Sequence, residues 1–342
     1  MKKQKKILKE QNVKNYTRLI DSIGILLESA RKHAVKTINN ILIQTYWEIG
    51  KRIVEYEQKG EEKAKYGSEL LSRLSKDLNL KYGKGFSRSN LQYMRLLYLK
   101  YPKCQTLSGK LSWSHYVELL TVSDDLARSF YEKQCIGENW SVRELRRQIN
   151  SMLFERMALS KNKKDVLKLS KKGQVIEKHE DIIKDPYVLE FLGIPEDTMY
   201  SEKELEQKII DNLQLFLLEL GKGFAFVSRQ YRITLDNNHF YVDLVFYHTI
   251  LKCYVLIDLK VGKITHQDIG QMNMYLNYFN KEIMTETDNP AIGIVLCAEK
   301  DNILVEYALG SITNKLFVSR YKLYLPEKKE LIQKLKYLLE KK

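Results

Sequence analysis

Cysteine and proline are scarce in this sequence, with four cysteines and five prolines among 342 residues. Cys104, Cys135, Cys253 and Cys297 lie far apart, and none belongs to a C-x-x-C pair. This spacing disfavours both a zinc site and a disulfide framework. We therefore expect reduced thiols with no part in catalysis.

Long hydrophobic runs are also missing, and the opening residues MKKQKKILKE lack the apolar segment of a signal peptide. We therefore expect a cytoplasmic protein with no membrane partner. Apolar residues make up 44% of the chain and charged residues 29%, which excludes wholesale disorder. A chain of this length is expected to form about two domains.

The net charge of +14 at pH 7 favours a polyanionic partner, with nucleic acid as the leading candidate. Charge alone is compatible with many functions. The position of the cations along the chain therefore matters more than their number.

Apolar residues recur at helical spacing through most of residues 1–155, which predicts an all-α N-terminal domain. Five lysines in the first nine residues are expected to form a solvated tail. Further along, two helices flank the turn LKYGKGFS, and Ser87 is placed to cap the second. That helix would carry Arg88, Gln92 and Arg95 outward, as in a helix-turn-helix that binds DNA. An ordinary αα-hairpin with a solvated face fits the pattern equally well.

A second cationic helix is predicted after Ser141, which forms a capping box with Glu144. It would display Arg143, Arg146 and Arg147 to phosphates, although a plain solvated helix has the same pattern. After it the periodicity weakens and charges accumulate, so we interpret residues 156–184 as a linker.

Residues 185–342 predict an α/β domain with a central mixed sheet. A helix over 201–220 precedes a strand over 224–235, and two more strands follow within 239–261. A helix from 265, a strand over 291–298, a helix near 304–309, a strand over 321–325 and a C-terminal helix complete the domain.

The strands within 239–261 carry the candidate chemistry. Because side chains alternate along a strand, Asp243 is expected on one face with Tyr241 and Val245, where it can meet Asp258 and Lys260. Charges in such apolar surroundings are costly unless they are paired or bound to metal. A buried ion pair without chemistry is the alternative for an isolated D-x-K.

The full order of elements resembles the PD-(D/E)XK nuclease superfamily: a helix with an acid, a strand, an Asp-bearing strand, the D-x-K strand, and a helix with Gln271 and Tyr275. The strings FLLELGKGFAFVSRQYRI, FYVDLVFYH, LIDLKVGKI and GQMNMYLNYF resemble the YhcG-type family of bacterial nucleases, as do YGSELLSRLSKDL and GKGFSRSNLQYMRLLY in the first half. Asp258 stands where glutamate is commoner, and the superfamily pattern allows either.

This resemblance implies a metal-dependent DNA nuclease. Carboxylates of Asp243 and Asp258 suit Mg²⁺ or Mn²⁺, and the Leu259 carbonyl is a further ligand by resemblance. Lys260 would orient water or stabilise the transition state. Glu206 is our choice for the helical acid and a further metal ligand, because we expect Glu204 to be engaged in capping.

Gln271 and Tyr275, one helical turn apart, would hold the metal-bound water or a substrate phosphate. Gln230 is a lesser site candidate, whereas His248 and His266 are expected to make local hydrogen bonds.

The resemblance implies DNA as substrate, in defence or in the processing of mobile elements. The N-terminal domain would bind DNA or a partner protein, or form a homo-oligomer. A non-cleaving DNA-binding or adaptor subunit is the alternative, and the intact Asp243, Asp258 and Lys260 argue against it.

Overall fold

The computed structural model describes residues 2–59, 66–104, 107–159, 163–195, 198–310 and 312–336, apart from 326, 328, 330 and 334. The chain forms two compact units, Met1–Ser123 and Asp124–Lys342. None of the helices in the described residues combines the length and apolar character needed to cross a bilayer. The predicted C-terminal helix falls largely outside the described residues.

The first unit is all-α, as predicted. Its helices are α1 (Lys2–Lys59), α2 (Tyr66–Tyr82), α3 (Arg88–Lys100) and α4 (Trp113–Leu120). The backbone is helical from Lys2 onward, so the N-terminal lysines begin α1 and do not form a separate tail. Buried Ile53, Leu71, Leu91 and Met94 join α1, α2 and α3 in one core.

Helices α1 and α3 approach each other closely at Gly50. A Cβ atom on this residue would lie 2.0 Å from the backbone oxygen of Met94. Any larger side chain would therefore push the helices apart. Less than one turn before Gly50, the Trp47 indole donates a hydrogen bond to the Tyr101 carbonyl at 2.6 Å.

The turn between α2 and α3 is fixed by side chains as the sequence indicates. Gly83 and Gly85 adopt positive φ angles of 84° and 132°. Asn79 donates to the Phe86 carbonyl and accepts from the Phe86 amide, both at 3.2 Å. The Ser87 hydroxyl accepts from the Asn90 amide, which confirms the predicted N-cap.

The second unit begins with α5 (Asp125–Glu138), α6 (Val142–Asn150), α7 (Leu153–Leu159) and α8 (Lys163–Lys172). These helices correct the prediction that residues 156–184 form a linker. Much of it is helical and packed, and Arg156, Ala158 and Val166 are buried. Its charges obscured an apolar pattern that the neighbouring helices cover.

The rest of the second unit contains β1 (Tyr187–Val188), α9 (Glu202–Asp211), α10 (Leu213–Leu220), β2 (Phe224–Leu235), β3 (Asn238–His248), β4 (Cys253–Lys263), α11 (His266–Tyr278), β5 (Ile292–Glu299), α12 (Asn302–Leu309) and β6 (Lys315–Lys322). Within the described residues these strands form one sheet in the order β1-β6-β5-β4-β3-β2. Strands β2, β3 and β4 pair antiparallel, and β4, β5 and β6 pair parallel.

The predicted mixed sheet is confirmed, with two differences in its surroundings. The helix predicted over 201–220 is broken at Asn212 into α9 and α10. The last strand begins at Lys315, earlier than predicted. Each face of the sheet has its own core: one includes Leu205 and Phe216 from α9 and α10, and the other includes Met272 from α11. This layering brings α9 and α11 towards the same strands from opposite sides.

A buried ionic network joins α6 and α7 to the sheet domain. Glu219 and Arg156 are fully buried, and Arg156 Nη1 lies 2.7 Å from Glu219 Oε1. Arg147 lies 3.3 Å from Glu219 Oε2, and Lys184 contacts the Glu219 carbonyl oxygen. Burial opposes ionisation of Glu219, but the surrounding cations outweigh it and lower its pKa to about 2.

We predict that Glu219→Gln lowers the free energy of unfolding at neutral pH by about 3 kcal/mol, because it leaves buried cations unpaired. The folded pKa of Glu219 is depressed, so its stabilisation exists above the unfolded value of about 4.3 and is lost as pH falls towards 2. Urea titrations across this range should show that the variant lacks this part of the pH dependence.

The matched control is Glu177→Gln, which removes a carboxylate from an exposed pair with Lys168. It should change stability by less than about 1 kcal/mol. Equal stability of the Glu219 variant and the parent would contradict a stabilising role for the network.

Candidate active site

The candidate site lies where β3 and β4 separate. The two strands are paired up to Leu244 and Ile257, so the next residues of this register, Asp243 and Asp258, face each other. Asp243 Oδ2 accepts a hydrogen bond from the Leu259 amide at 2.8 Å. A carboxylate thus takes the place of a backbone acceptor, which holds Asp243 at the fork between the strands.

Strict alternation does not run through Asp243, which corrects the predicted shared face with Tyr241 and Val245. Val242 and Val245 pack in the same core, while Leu244 between them packs in the other. The irregularity continues in β2, where Gln230 lies opposite Asp243 and has a φ of +47°. Such backbone is uncommon for a residue other than glycine and often marks a functional site.

Gln230 connects two acids at this irregularity. Its Nε2 atom donates to Glu206 Oε2 at 2.6 Å and to Asp243 Oδ1 at 3.0 Å. One amide therefore sets the positions of a carboxylate from α9 and a carboxylate from β3. The sequence offered only weak support for Gln230, because its partners lie 24 and 13 residues away.

Glu206 is buried on the sheet side of α9, with 5% of its surface exposed. Its Oε1 atom has no hydrogen-bond donor, although Arg229 Nε lies 3.4 Å away. Burial is the main cause that raises the pKa of Glu206. Glu204 instead accepts from the Ser201 amide at 2.7 Å, which confirms that it caps the helix. The helical register therefore directs Glu206 towards Asp243.

Asp258 is the most perturbed carboxyl of the site. It is buried, and burial together with the neighbouring Asp243 raises its pKa to about 7. Lys260 Nζ lies 3.0 Å from Asp258 Oδ2, yet this oxygen has no hydrogen-bond donor in suitable geometry. The contact is therefore an ion pair, and Asp258 Oδ2 still lacks a well-aligned hydrogen bond.

Lys260 is held by acids from three elements. Besides Asp258, its Nζ atom lies 3.7 Å from Asp268 Oδ1 and 3.8 Å from Glu202 Oε2. Burial opposes its charge, but Asp258 and then the other carboxylates raise its pKa. Lys260 is therefore a protonated side chain in a fixed position.

Sequence reasoning missed Glu202 and the second role of Asp268. Asp268 caps α11 through Oδ2, which accepts from the Thr265 amide at 2.8 Å, and it uses Oδ1 for Lys260. The signal for Glu202 was its spacing, since it stands one helical turn before Glu206 and so shares its side of α9.

Gln271 and Tyr275 meet on α11, as their spacing predicts. Gln271 donates to the Tyr275 hydroxyl, which donates to the Tyr241 carbonyl at 2.9 Å. Burial, and to a lesser degree Asp258 and Asp243, raises the pKa of Tyr275, so its hydroxyl is neutral. The pair therefore connects α11 to the backbone of β3 beside the two aspartates.

The chemistry of these side chains fits a divalent cation. Asp243 and Asp258 present hard carboxylate oxygens, and one Asp258 oxygen is buried without a donor. Among the described residues, no group of three or more His, Cys, Asp and Glu side chains converges as a complete ligand set. A cation here would take further ligands from water or a phosphate, as Mg²⁺ commonly does. The Leu259 carbonyl stays a predicted ligand.

His248 and His266, the two histidines near the candidate site in the sequence, differ in their surroundings. His248 accepts from the Leu251 amide at 3.1 Å, and its other nitrogen lies 3.1 Å from the Lys222 carbonyl, so it makes local hydrogen bonds as expected. His266 is exposed at the start of α11.

The predicted nucleic-acid-binding residues fall into two groups. On α3, Arg88 is exposed, Gln92 is half-buried, and Arg95 Nε lies 2.7 Å from Glu57 Oε2. That ion pair partly neutralises Arg95. The structure places α3 in the first compact unit.

On α6, which lies within the predicted N-terminal domain of residues 1–155 and in the second compact unit, Arg143 and Arg146 are exposed. The structure corrects the prediction that Arg147 faces outward to bind phosphate. Its guanidinium lies between Glu190 and Glu219, and only 12% of the side chain is exposed, so it is engaged by internal acids.

Comparisons with known proteins identify the family of this chain. The family described as "YhcG PDDEXK nuclease domain" matches residues 180–336, and "DUF1016 N-terminal domain" matches residues 22–156. The protein "Putative nuclease YhcG" of Escherichia coli (strain K12) is 42% identical over 360 residues, which covers 96% of this chain and 96% of that protein.

Two solved structures show a partial likeness. The "crystal structure of a repair endonuclease from Pyrococcus abyssi" has 19% identity and a TM-score of 0.26 over 39% of this chain and 50% of that chain. The "Structure of EndoMS in apo form" has 15% identity and a TM-score of 0.25 over 38% of this chain and 49% of that chain. TM-scores this low do not support any inference about this chain. The full-length match at 42% identity is sufficient: the chain belongs to the YhcG family of PDDEXK nucleases.

Proposed function

We propose that this protein is a divalent-metal-dependent nuclease that hydrolyses phosphodiester bonds in DNA. The observation that carries the proposal is the buried Asp258, which lies opposite Asp243 where β3 and β4 separate and has Lys260 Nζ 3.0 Å from its Oδ2 atom. A non-cleaving DNA-binding or adaptor subunit has no need of this arrangement. An acid with a raised pKa is costly to the fold, which favours a functional reason for it.

Asp243 and Asp258 would hold Mg²⁺ or Mn²⁺, with Glu206 and the Leu259 carbonyl as further contributors. The bound metal would lower the pKa of a water molecule and neutralise charge on the phosphate. Gln230 keeps Glu206 and Asp243 together and so sets the width of the acidic site.

Lys260 would stabilise negative charge on the phosphate in the transition state. Glu202 and Asp268 hold its ammonium group in place from two helices. Gln271 and Tyr275 would position the attacking water or a phosphate oxygen. These roles follow the chemistry of the groups and their placement around the two aspartates.

The helical N-terminal domain, predicted over 1–155, would bind DNA or a protein partner. Exposed Arg88, Arg143 and Arg146 are the proposed phosphate contacts. DNA processing in defence or on mobile elements is the setting that the family resemblance implies.

The first activity prediction concerns Asp258 and Lys260. Asp258→Asn or Lys260→Ala should lower turnover of a labelled DNA duplex by at least about a hundredfold, since each removes a metal ligand or a transition-state charge. DNA binding should persist, and excess chelator should abolish cleavage by the parent. The control Asp236→Asn changes an exposed turn acid and should cleave normally. Cleavage by the parent in excess chelator would refute metal dependence.

A second prediction tests the amide between the acids. Gln230→Ala should raise the metal concentration needed for half-maximal cleavage by about tenfold, because Glu206 and Asp243 lose their common donor. Gln207→Ala is the control, since Gln207 is an exposed amide on α9, the helix that bears Glu206, and its partners are Asp211 and Arg229. The proposal for Gln230 fails if both variants have the same metal dependence as the parent.

A third prediction separates phosphate contacts from structural arginines. Replacing Arg88 and Arg143 by alanine should reduce the log–log salt slope of DNA binding by about two units, one for each lost contact. Arg147→Ala should instead lower stability, because it breaks the contacts with Glu190 and Glu219. Fluorescence anisotropy over a salt series, with Lys281→Ala as an exposed control, gives the slopes. An unchanged slope in the double variant would exclude these two residues as phosphate contacts.

A further inference from the structure

The apolar residues of helix α1 lie on different sides of the helix in its two parts. In its C-terminal half, Ile43, Trp47 and Val54 are buried in the first unit. Between residues 16 and 41, ten large apolar side chains are about half exposed or more. Two of them, Ile25 and Val35, lie on other sides of the helix. The other eight share one side: Tyr16, Leu19, Ile20, Ile23, Leu26, Leu27, Ile38 and Ile41. We call this set the α1 apolar face. Successive residues turn by about 100° around a helix, so Ile23 lies about 200° away from the line of Ile43. The α1 apolar face is therefore directed away from the side that packs within the unit.

The spacing of this face is that of a helix that packs on another helix. Residues 16, 20, 23, 27, 30, 34, 37 and 41 alternate steps of four and three, which is a heptad pattern over nearly four repeats. Leu19, Leu26 and Ile38 widen the apolar stripe beyond a minimal seam. Soluble monomers rarely expose contiguous apolar surface of this extent. The face therefore needs a helical partner.

The charge pattern limits what the partner can be. None of the positions on the α1 apolar face is charged, so nucleic acid finds no cation there and a charged protein surface finds no counterpart. The opposite side of the helix mixes both signs, with Arg18 and Lys36 among Asp21 and Glu28. Such a side also lacks the uniform positive charge of helices that lie on membranes.

We propose that the α1 apolar face binds the same face of a second copy of this chain and forms a homodimer. A second copy supplies an uncharged apolar helix with the same heptad spacing and the same length. Ala30 and Ala34 lie at the middle of residues 16–45 and allow the two helices to approach closely where they cross. A twofold axis at this point gives a closed, self-complementary interface.

The experiment measures the mass of the full chain by sedimentation equilibrium at micromolar concentration. We expect the mass of two chains of 40.4 kDa each, at low and at high salt, because the face carries no charge. Ile23→Glu and Ile41→Glu, which lie five helical turns apart on the same line, should each raise the dimer dissociation constant by at least about a hundredfold.

The matched control is Ile25→Glu. Ile25 is 71% exposed in the same turn of α1 but lies about 200° around the helix from Ile23. It should leave the mass and the helix content measured by circular dichroism unchanged. Since Ile23 and Ile41 are exposed within a single chain, their variants should also remain folded.

A monomeric parent, a parent of more than two chains, or equal weakening by Ile25→Glu and Ile23→Glu would each overturn the proposal. A dimer that both face variants leave intact would also overturn it. The inference does not depend on DNA cleavage, because a catalytically inactive chain should dimerise in the same way.

Discussion

Burying a carboxylate costs free energy, and the second unit meets this cost in different ways at Glu219 and at Asp258. At Glu219 cations outnumber the acid: Arg156, Arg147 and Lys184 surround it and lower its pKa to about 2. At Asp258 the balance is reversed, since burial and Asp243 outweigh Lys260 and raise the pKa to about 7. One cluster is complete and fastens helices to the sheet. The other has an excess of negative charge, which a divalent cation would neutralise.

The sheet creates this excess where its regular pairing ends. Strands β3 and β4 separate after Leu244 and Ile257, and Asp243 replaces a backbone acceptor for the Leu259 amide. Because α9 and α11 cover opposite faces of the sheet, both can reach the fork, with Glu206 from one side and Tyr275 from the other. The irregular backbone at Gln230 lies at this fork, where its side chain contacts both Glu206 and Asp243.

Helix α1 applies a different constraint to the first unit. Its close contact with α3 at Gly50 fixes the part that follows residue 42, and the α1 apolar face, which precedes that part, lies on the other side. The buried apolar residues of the C-terminal part and the α1 apolar face lie on different sides of the helix. A single packing partner therefore cannot cover both sets. The fold of one chain and the proposed contact between two chains therefore use separate parts of one helix.

Local patterns in the sequence determined the elements and much of the site: the capping boxes at Ser141 and Ser201, the strand bearing Asp243, the D-x-K strand, and the Gln271–Tyr275 turn. These features depend on residues within one turn or one strand of each other. The tertiary structure alone decided which charges meet. Arg147 and Glu219 lie 72 residues apart, Gln230 and Glu206 lie 24 apart, and Lys260 gathers acids from two helices. Partners this far apart along the chain are brought together only by the fold, and the periodicity within one helix or strand carries no information about them.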